Sequence, residues 1–172
     1  MEIFKIVIPA FLVMMTAYLL IDKMLINEDK RRRAELNGKN KAVVTPIRLR
    51  AYERIALLLE RTHPSAMMLH VIKPGMTTLE AQNKLLSFIR SEFEHNLSQQ
   101  IYLSNELWEA VKAVHDNMIK LVNTTAQHYQ PDDPAMKLAE VLIRMYEELD
   151  ENPTSVALGL LRTETHQLFF DA

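Results

Sequence analysis

An all-α protein is what this sequence predicts: a single N-terminal transmembrane helix followed by an irregular multi-helix bundle. Three observations lead there. Residues 6–21 form a run of sixteen without a charged side chain. Only three glycines, Gly38, Gly75 and Gly159, occur in 172 residues. Beyond the run, Leu, Met, Ala, Glu, Lys and Arg dominate, strong helix formers whose apolar members recur at three- and four-residue spacing.

The run from Ile3 to Ile21 is interrupted only by Lys5. At 1.5 Å of rise per residue it reaches about 28 Å, close to the hydrocarbon thickness of a bilayer. Its apolar side chains cover every face, which suits lipid or a large core rather than a surface stripe. Glu2 and Lys5 cancel before it, and Leu19-Leu20-Ile21-Asp22-Lys23 closes it without the small-residue pattern of a signal-peptide cleavage site. Pro9 is tolerable near the start of such a helix.

Charge gives the expected orientation. From Lys23 to Arg61 there are eleven Lys and Arg against five acids, including Lys30, Arg31, Arg32 and Arg33 in succession. Basic residues close to a span stay on the cytoplasmic side, so the N-terminus is expected outside and the C-terminal domain inside, at the inner membrane. The four consecutive bases are the expected contact with the membrane surface. From Ser91 to Ala172 the balance reverses, with fourteen acids and five bases, net −9. Overall net charge is −2, which does not point to a nucleic-acid partner. Cysteine is absent, removing any disulfide argument.

The domains expected are an anchor over 1–22, a basic juxtamembrane helix and linker over 23–44, and a soluble helical domain over 45–172. Asn37-Gly38 is a helix-stop signal and Lys39–Val44 a linker. Thr45-Pro46 offers a cap and a first-turn proline, opening a helix with a stripe of Leu49, Tyr52, Ile55, Ala56 and Leu59. His63-Pro64 ends it, Ser65–Ile72 is a short helical piece, and Pro74-Gly75 is a turn.

Thr77-Thr78-Leu79-Glu80 is a capping box, followed by Leu79, Leu85, Leu86, Ile89, Phe93 and Leu97 on one face. The pattern slips over Ser98–Leu103. Ser104 then caps a long helix carrying Leu107, Trp108, Val111, Val114, Met118, Ile119, Leu121 and Val122. Pro131-Asp132-Asp133-Pro134 breaks it, and Ala135, Leu138, Ala139, Leu142, Ile143 and Tyr146 stripe the next helix. Asn152-Pro153-Thr154 punctuates again. Val156, Leu158, Leu160, Leu161 and Leu168 form the closing helix, with Phe169-Phe170 at its end.

Catalytic signatures are sparse. Glu92 and His95 form a Glu-x-x-His pair, which on a helix aims a carboxylate and an imidazole at one point, as in di-iron carboxylate bundles. Those sites need two such pairs and two more glutamates, and a second pair is missing. His115 and Asp116 are adjacent and point to different faces. There is no nucleophile elbow and no phosphate-binding glycine loop. No cofactor is implied.

The segment Arg50-Ala51-Tyr52-Glu53-Arg54, then Leu58-Leu59-Glu60-Arg61, Pro64, Ser91 to Tyr102 (SEFEHNLSQQIY) and Trp108-Glu109-Ala110, resembles an uncharacterised family of short proteins from Bacteroidetes-type bacteria. The resemblance implies one N-terminal span and a helical cytoplasmic body. It carries no assigned activity and no catalytic residue.

The expected function is a membrane-tethered cytoplasmic helical interaction or scaffold module, held in the bilayer through residues 3–21 and docking an unknown protein or a copy of itself. The densest polar block within a helical region, Glu92, Glu94, His95, Asn96, Gln99 and Gln100, is the candidate interaction surface. The alternative is a metal-dependent carboxylate-bundle enzyme using Glu92 and His95.

Overall fold

Helix-forming residues, proline breaks and side-chain caps place seven helices along the chain in the computed structural model, counted among the described residues. The structure describes residues 2–149 and 152–170, with the side chains of 2–10, 13, 33, 34, 37, 39–41, 169 and 170 left out. Helix α1 is Glu2–Thr62, α2 Pro64–Val71, α3 Thr78–Asn96, α4 Asn105–Ala126, α5 Ala135–Glu147 and α6 Pro153–Phe170; a 3-10 turn, Leu97–Tyr102, joins α3 to α4. No strand occurs among the described residues, although an isolated antiparallel bridge pairs Thr77 with Pro134. The chain divides into two compact units, Met1–Thr45 and Pro46–Ala172.

The break expected at Asn37-Gly38 and the linker over 39–44 are corrected: α1 continues through both, and through Thr45-Pro46. Gly38 does not adopt the positive φ that a glycine cap requires. A mid-helix glycine costs only about 0.5–1 kcal/mol relative to alanine, too little to stop a helix by itself. Pro46 removes one backbone donor, and the turns around it carry the helix on.

In the first unit, Phe11, Leu12, Met14, Met15, Tyr18, Leu19, Leu20 and Ile21 are exposed, as are Met24, Leu25 and Ile26 beyond Asp22-Lys23. Among the described residues no helix is long and apolar enough to cross a membrane. The first part of the expected 3–21 span, residues 3–10, has its side chains outside the described set.

The second unit holds the core. Tyr52, Ile55 and Leu59 on α1, Leu85 and Ile89 on α3, Leu107, Val111 and Met118 on α4, and Leu138, Leu142 and Tyr146 on α5 are almost fully buried in one cluster. α4 packs against both α3 and α6, which makes it the central rod of the bundle. Leu79 and Leu97, expected on the core face of α3, are instead exposed, because they lie at its two ends where no neighbour covers them; Ala81 fills the inner position. Val156 is likewise exposed while Ala157 is buried. Phe169-Phe170 have side chains outside the described set.

The caps expected at Thr77 and Ser104 form, whereas α5, which Pro131-Asp132-Asp133-Pro134 was expected to cap, starts from Pro134 with no side-chain cap. Thr77 accepts from the Glu80 amide at 3.3 Å while the Glu80 carboxylate accepts from the Thr77 amide at 3.2 Å. Gly75 takes φ 83°, the left-handed turn that delivers the chain to this box. The start of α3 is also tied to the start of α5. Thr78 and Leu79 amides donate to the Asp133 and Pro131 carbonyls, and the Ala135 amide donates to Met76. Donors that helix starts leave orphaned are thus satisfied reciprocally.

Candidate functional site

The end of α3 meets the outward face of α1 within the Pro46–Ala172 unit, and their side chains build one groove. Arg54 and Arg61 lie seven residues apart, so two helical turns place them on the same side of α1, with Leu57 between. Facing them, Glu92, His95 and Asn96 sit at 3- and 4-residue spacing on α3. Together with Leu58 these residues line an open pocket of about 350 Å³.

Each polar group in the groove has a definite partner. Arg61 Nη2 is 2.8 Å from Glu92 Oε1, an ion pair in which the glutamate is largely covered and the arginine half exposed. Arg54 donates through Nε to Asn96 Oδ1 and through Nη2 to the His95 carbonyl, both at 3.0 Å. Asn96, buried, donates in turn to the Glu92 carbonyl at 2.8 Å. Asn96 therefore closes the C-terminal turn of α3 and holds Arg54 in place. Arg54 keeps an uncompensated positive charge, since the acceptors it meets are neutral oxygens.

His95 Nδ1 lies 2.7 Å from the Ser91 carbonyl and 3.3 Å from Ser91 Oγ. A carbonyl only accepts, so Nδ1 carries the proton and Nε2 is left as the acceptor. That tautomer cannot take a proton from Ser91 Oγ through Nδ1, so the pair is not a nucleophile and its base. The carboxylate of Glu92 is turned to Arg61, not to the imidazole. Among the described residues no three His, Asp or Glu side chains converge to hold a metal ion.

The remaining residues of the expected surface are dispersed. Glu94 is exposed, and its carbonyl accepts from the Leu97 amide. Gln99 Nε2 donates to Ser98 Oγ at 3.2 Å, and the Gln100 carbonyl accepts from Leu103. Glu92, His95 and Asn96 share the groove; Glu94, Gln99 and Gln100 do not line it. Of the expected membrane-surface residues, Lys30, Arg31 and Arg32 are exposed, and Arg31 pairs with Glu35 one turn on at 3.2 Å. The side chain of Arg33 lies outside the described set.

Sequence reasoning missed the arginine wall, because the faces of this helix were assigned from its apolar stripe alone, and Arg54 and Arg61 entered only the charge count and the family resemblance. Their seven-residue spacing was the available signal. It also missed a second polar cluster. Glu164 on α6 accepts from Tyr52 Oη at 3.2 Å, from the Ser104 amide at 3.4 Å and from Ser104 Oγ. Arg48 donates to Tyr52 Oη at 2.6 Å and to the Tyr102 carbonyl at 3.3 Å. Ser104 meanwhile caps α4 by accepting from Leu107. Burial pushes the Tyr52 phenol above its ordinary value, with Arg48 opposing and Glu164 reinforcing the shift.

One consequence is measurable in the groove. Replacing Glu92 by alanine strips Arg61 of its carboxylate and is expected to cost about 1 kcal/mol, the upper end for a partly exposed pair. Replacing His95 by alanine is expected to cost less than about 0.5 kcal/mol, since its ring is exposed. Urea unfolding of both variants checks this; a loss above about 3 kcal/mol in either would mean the groove is structural core.

An all-α helical bundle with a paired arginine groove is the class that fold and site define. The chain belongs to a family of unknown function, DUF7935, whose model matches residues 1–168. No curated protein and no solved structure matches it.

Proposed function

We propose that the chain is a membrane-tethered helical interaction or scaffold module, an accessory subunit at a bacterial inner membrane, with its N-terminus outside and the helical body cytoplasmic. The observation that carries this is the exposed apolar surface of residues 11–26, which has eleven large hydrophobic side chains open to the surroundings. Each such side chain gains roughly 1.5–3 kcal/mol when removed from water, so a cover is strongly favoured. Preceded by residues 3–10, apolar except for Lys5, this stretch is long enough for a bilayer. Lys30–Arg33 then follow at headgroup level, where each base gains about 1 kcal/mol from anionic lipid. Met24, Leu25 and Ile26 extend the apolar surface past Asp22-Lys23, where the long stem of Lys23 lets its ammonium group snorkel toward the interface.

The groove of Arg54, Arg61, Glu92, His95 and Asn96 supports an interaction role. It offers fixed donors and an exposed leucine, and its histidine and glutamate are held by neighbours rather than poised for proton transfer. A reporter fused after Ala172 tests the topology. The fusion is expected to be active with a cytoplasm-dependent reporter and silent with a periplasm-dependent one. The opposite pattern, or recovery of the fusion in the soluble fraction, would overturn the tether.

A further inference from the structure

Two features of the helical unit are complementary. On α1, Arg50, Arg54, Leu57 and Arg61 form an exposed stripe at spacings of four, three and four residues, with Leu57 61% exposed. Arg54 meets only neutral acceptors, and Arg61 shares one carboxylate. An arginine carries five donors in a planar fork, so both retain N–H groups for a second carboxylate. At the far end of α5, Glu147, Glu148 and Leu149 are all exposed, Leu149 at 45%. Two carboxylates at the negative end of a helix dipole are unfavourable for α5 itself. Neither glutamate is ion-paired among the described residues. The turn therefore has the chemistry of a ligand for the groove: two carboxylates beside an apolar side chain.

Resting on the interaction-module reading, we propose that the protein self-associates head to tail, the Glu147–Leu149 turn of one copy docking in the Arg54–Leu57–Arg61 groove of the next. The carboxylates meet the guanidinium groups and Leu149 covers Leu57. Because donor and acceptor surfaces differ, the contact is heterologous and propagates along a row of tethered copies. Lateral tethering raises the local concentration at which such a contact operates.

Sedimentation equilibrium of the full chain in detergent tests this at 50 mM and 500 mM salt. The expected result is a mass that grows with protein concentration at low salt, and a dissociation constant at least tenfold weaker at high salt. Glu147→Ala with Glu148→Ala, at an exposed turn, is expected to abolish growth, as is Arg54→Ala with Arg61→Ala. An equimolar mixture of the two double variants keeps one intact groove and one intact turn, and is expected to stop at dimers. A monomer at all concentrations, salt-independent growth, or growth unchanged in the turn variant would overturn the proposal. So would loss of binding to anionic vesicles confined to the groove variant with no change in mass, the mark of a lipid ligand. Membrane fractionation reports the tether separately: a parent chain that stays monomeric yet remains in the membrane fails this inference only.

Discussion

Deletion of residues 2–26 is expected to move the protein from the membrane pellet to the soluble fraction while the Pro46–Ala172 unit stays folded. The physical basis lies in where each unit buries its apolar groups. Phe11 through Ile26 present their large hydrophobics outward, whereas Tyr52, Leu85, Leu107, Leu138 and Tyr146 are buried among themselves within the second unit. Among the described residues, the core cluster and the side chains packed on it all fall within residues 52–168. On the proposed tether, burying the deleted side chains in lipid would supply on the order of tens of kcal/mol, the scale that makes a spanning helix effectively irreversible. Carbonate-washed membranes and circular dichroism make the measurement. A truncated chain still in the washed pellet would remove the tether, and an aggregated one without a cooperative melt would show that the units depend on one another.

How much of this was legible in the sequence depends on which signal was local. The capping box at Thr77–Glu80, the Ser104 cap and the breaks at His63-Pro64 and Pro131–Pro134 needed only a few adjacent residues, and all formed. Stripes in helix middles were legible too, since period alone places Leu107, Val111, Val114 and Met118 inward. Errors gathered where tertiary context decides. Leu79, Leu97 and Val156 have the right period but sit at helix ends, beyond the cover of a neighbour. Asn37-Gly38 is a stop signal only if glycine takes a left-handed turn, and composition cannot say whether it does. The Glu92–His95 spacing was visible, but Arg61, 31 positions earlier in the chain, claims the glutamate, and that distant partner decides its chemistry. Glu164 was invisible for the same reason: its partners come from residues 52 and 104.

Glu164 is also where the largest effect of a polar substitution on the helical unit is expected. Its carboxylate ties α6 to Tyr52 on α1 and to Ser104 at the start of α4, where a negative charge is favoured by the helix dipole. Replacing it by alanine leaves the Tyr52 and Ser104 hydroxyls without that acceptor and is expected to cost about 2 kcal/mol at neutral pH, the range for hydrogen bonds to a charged group. For a domain of this size that corresponds to roughly 6–10 °C in melting temperature. Glu164→Gln keeps one acceptor oxygen and should lose about half as much. Alkaline pH adds a second readout. Burial, opposed by Arg48 and reinforced by Glu164, holds the Tyr52 phenol above its ordinary value. A raised folded pKa means that its contribution is fully present below the unfolded value of about 10 and is lost as pH rises through the folded value. Removing Glu164 lowers that folded value, so the variant should lose less stability between pH 9 and 11, ~values bracketing the phenol, than the parent does. Urea unfolding across that range, with Tyr52→Phe as the reference lacking the titrating group, makes the comparison. A Glu164→Ala cost below about 0.5 kcal/mol, with an unchanged alkaline slope, would show that the bundle is held by its apolar stripes alone.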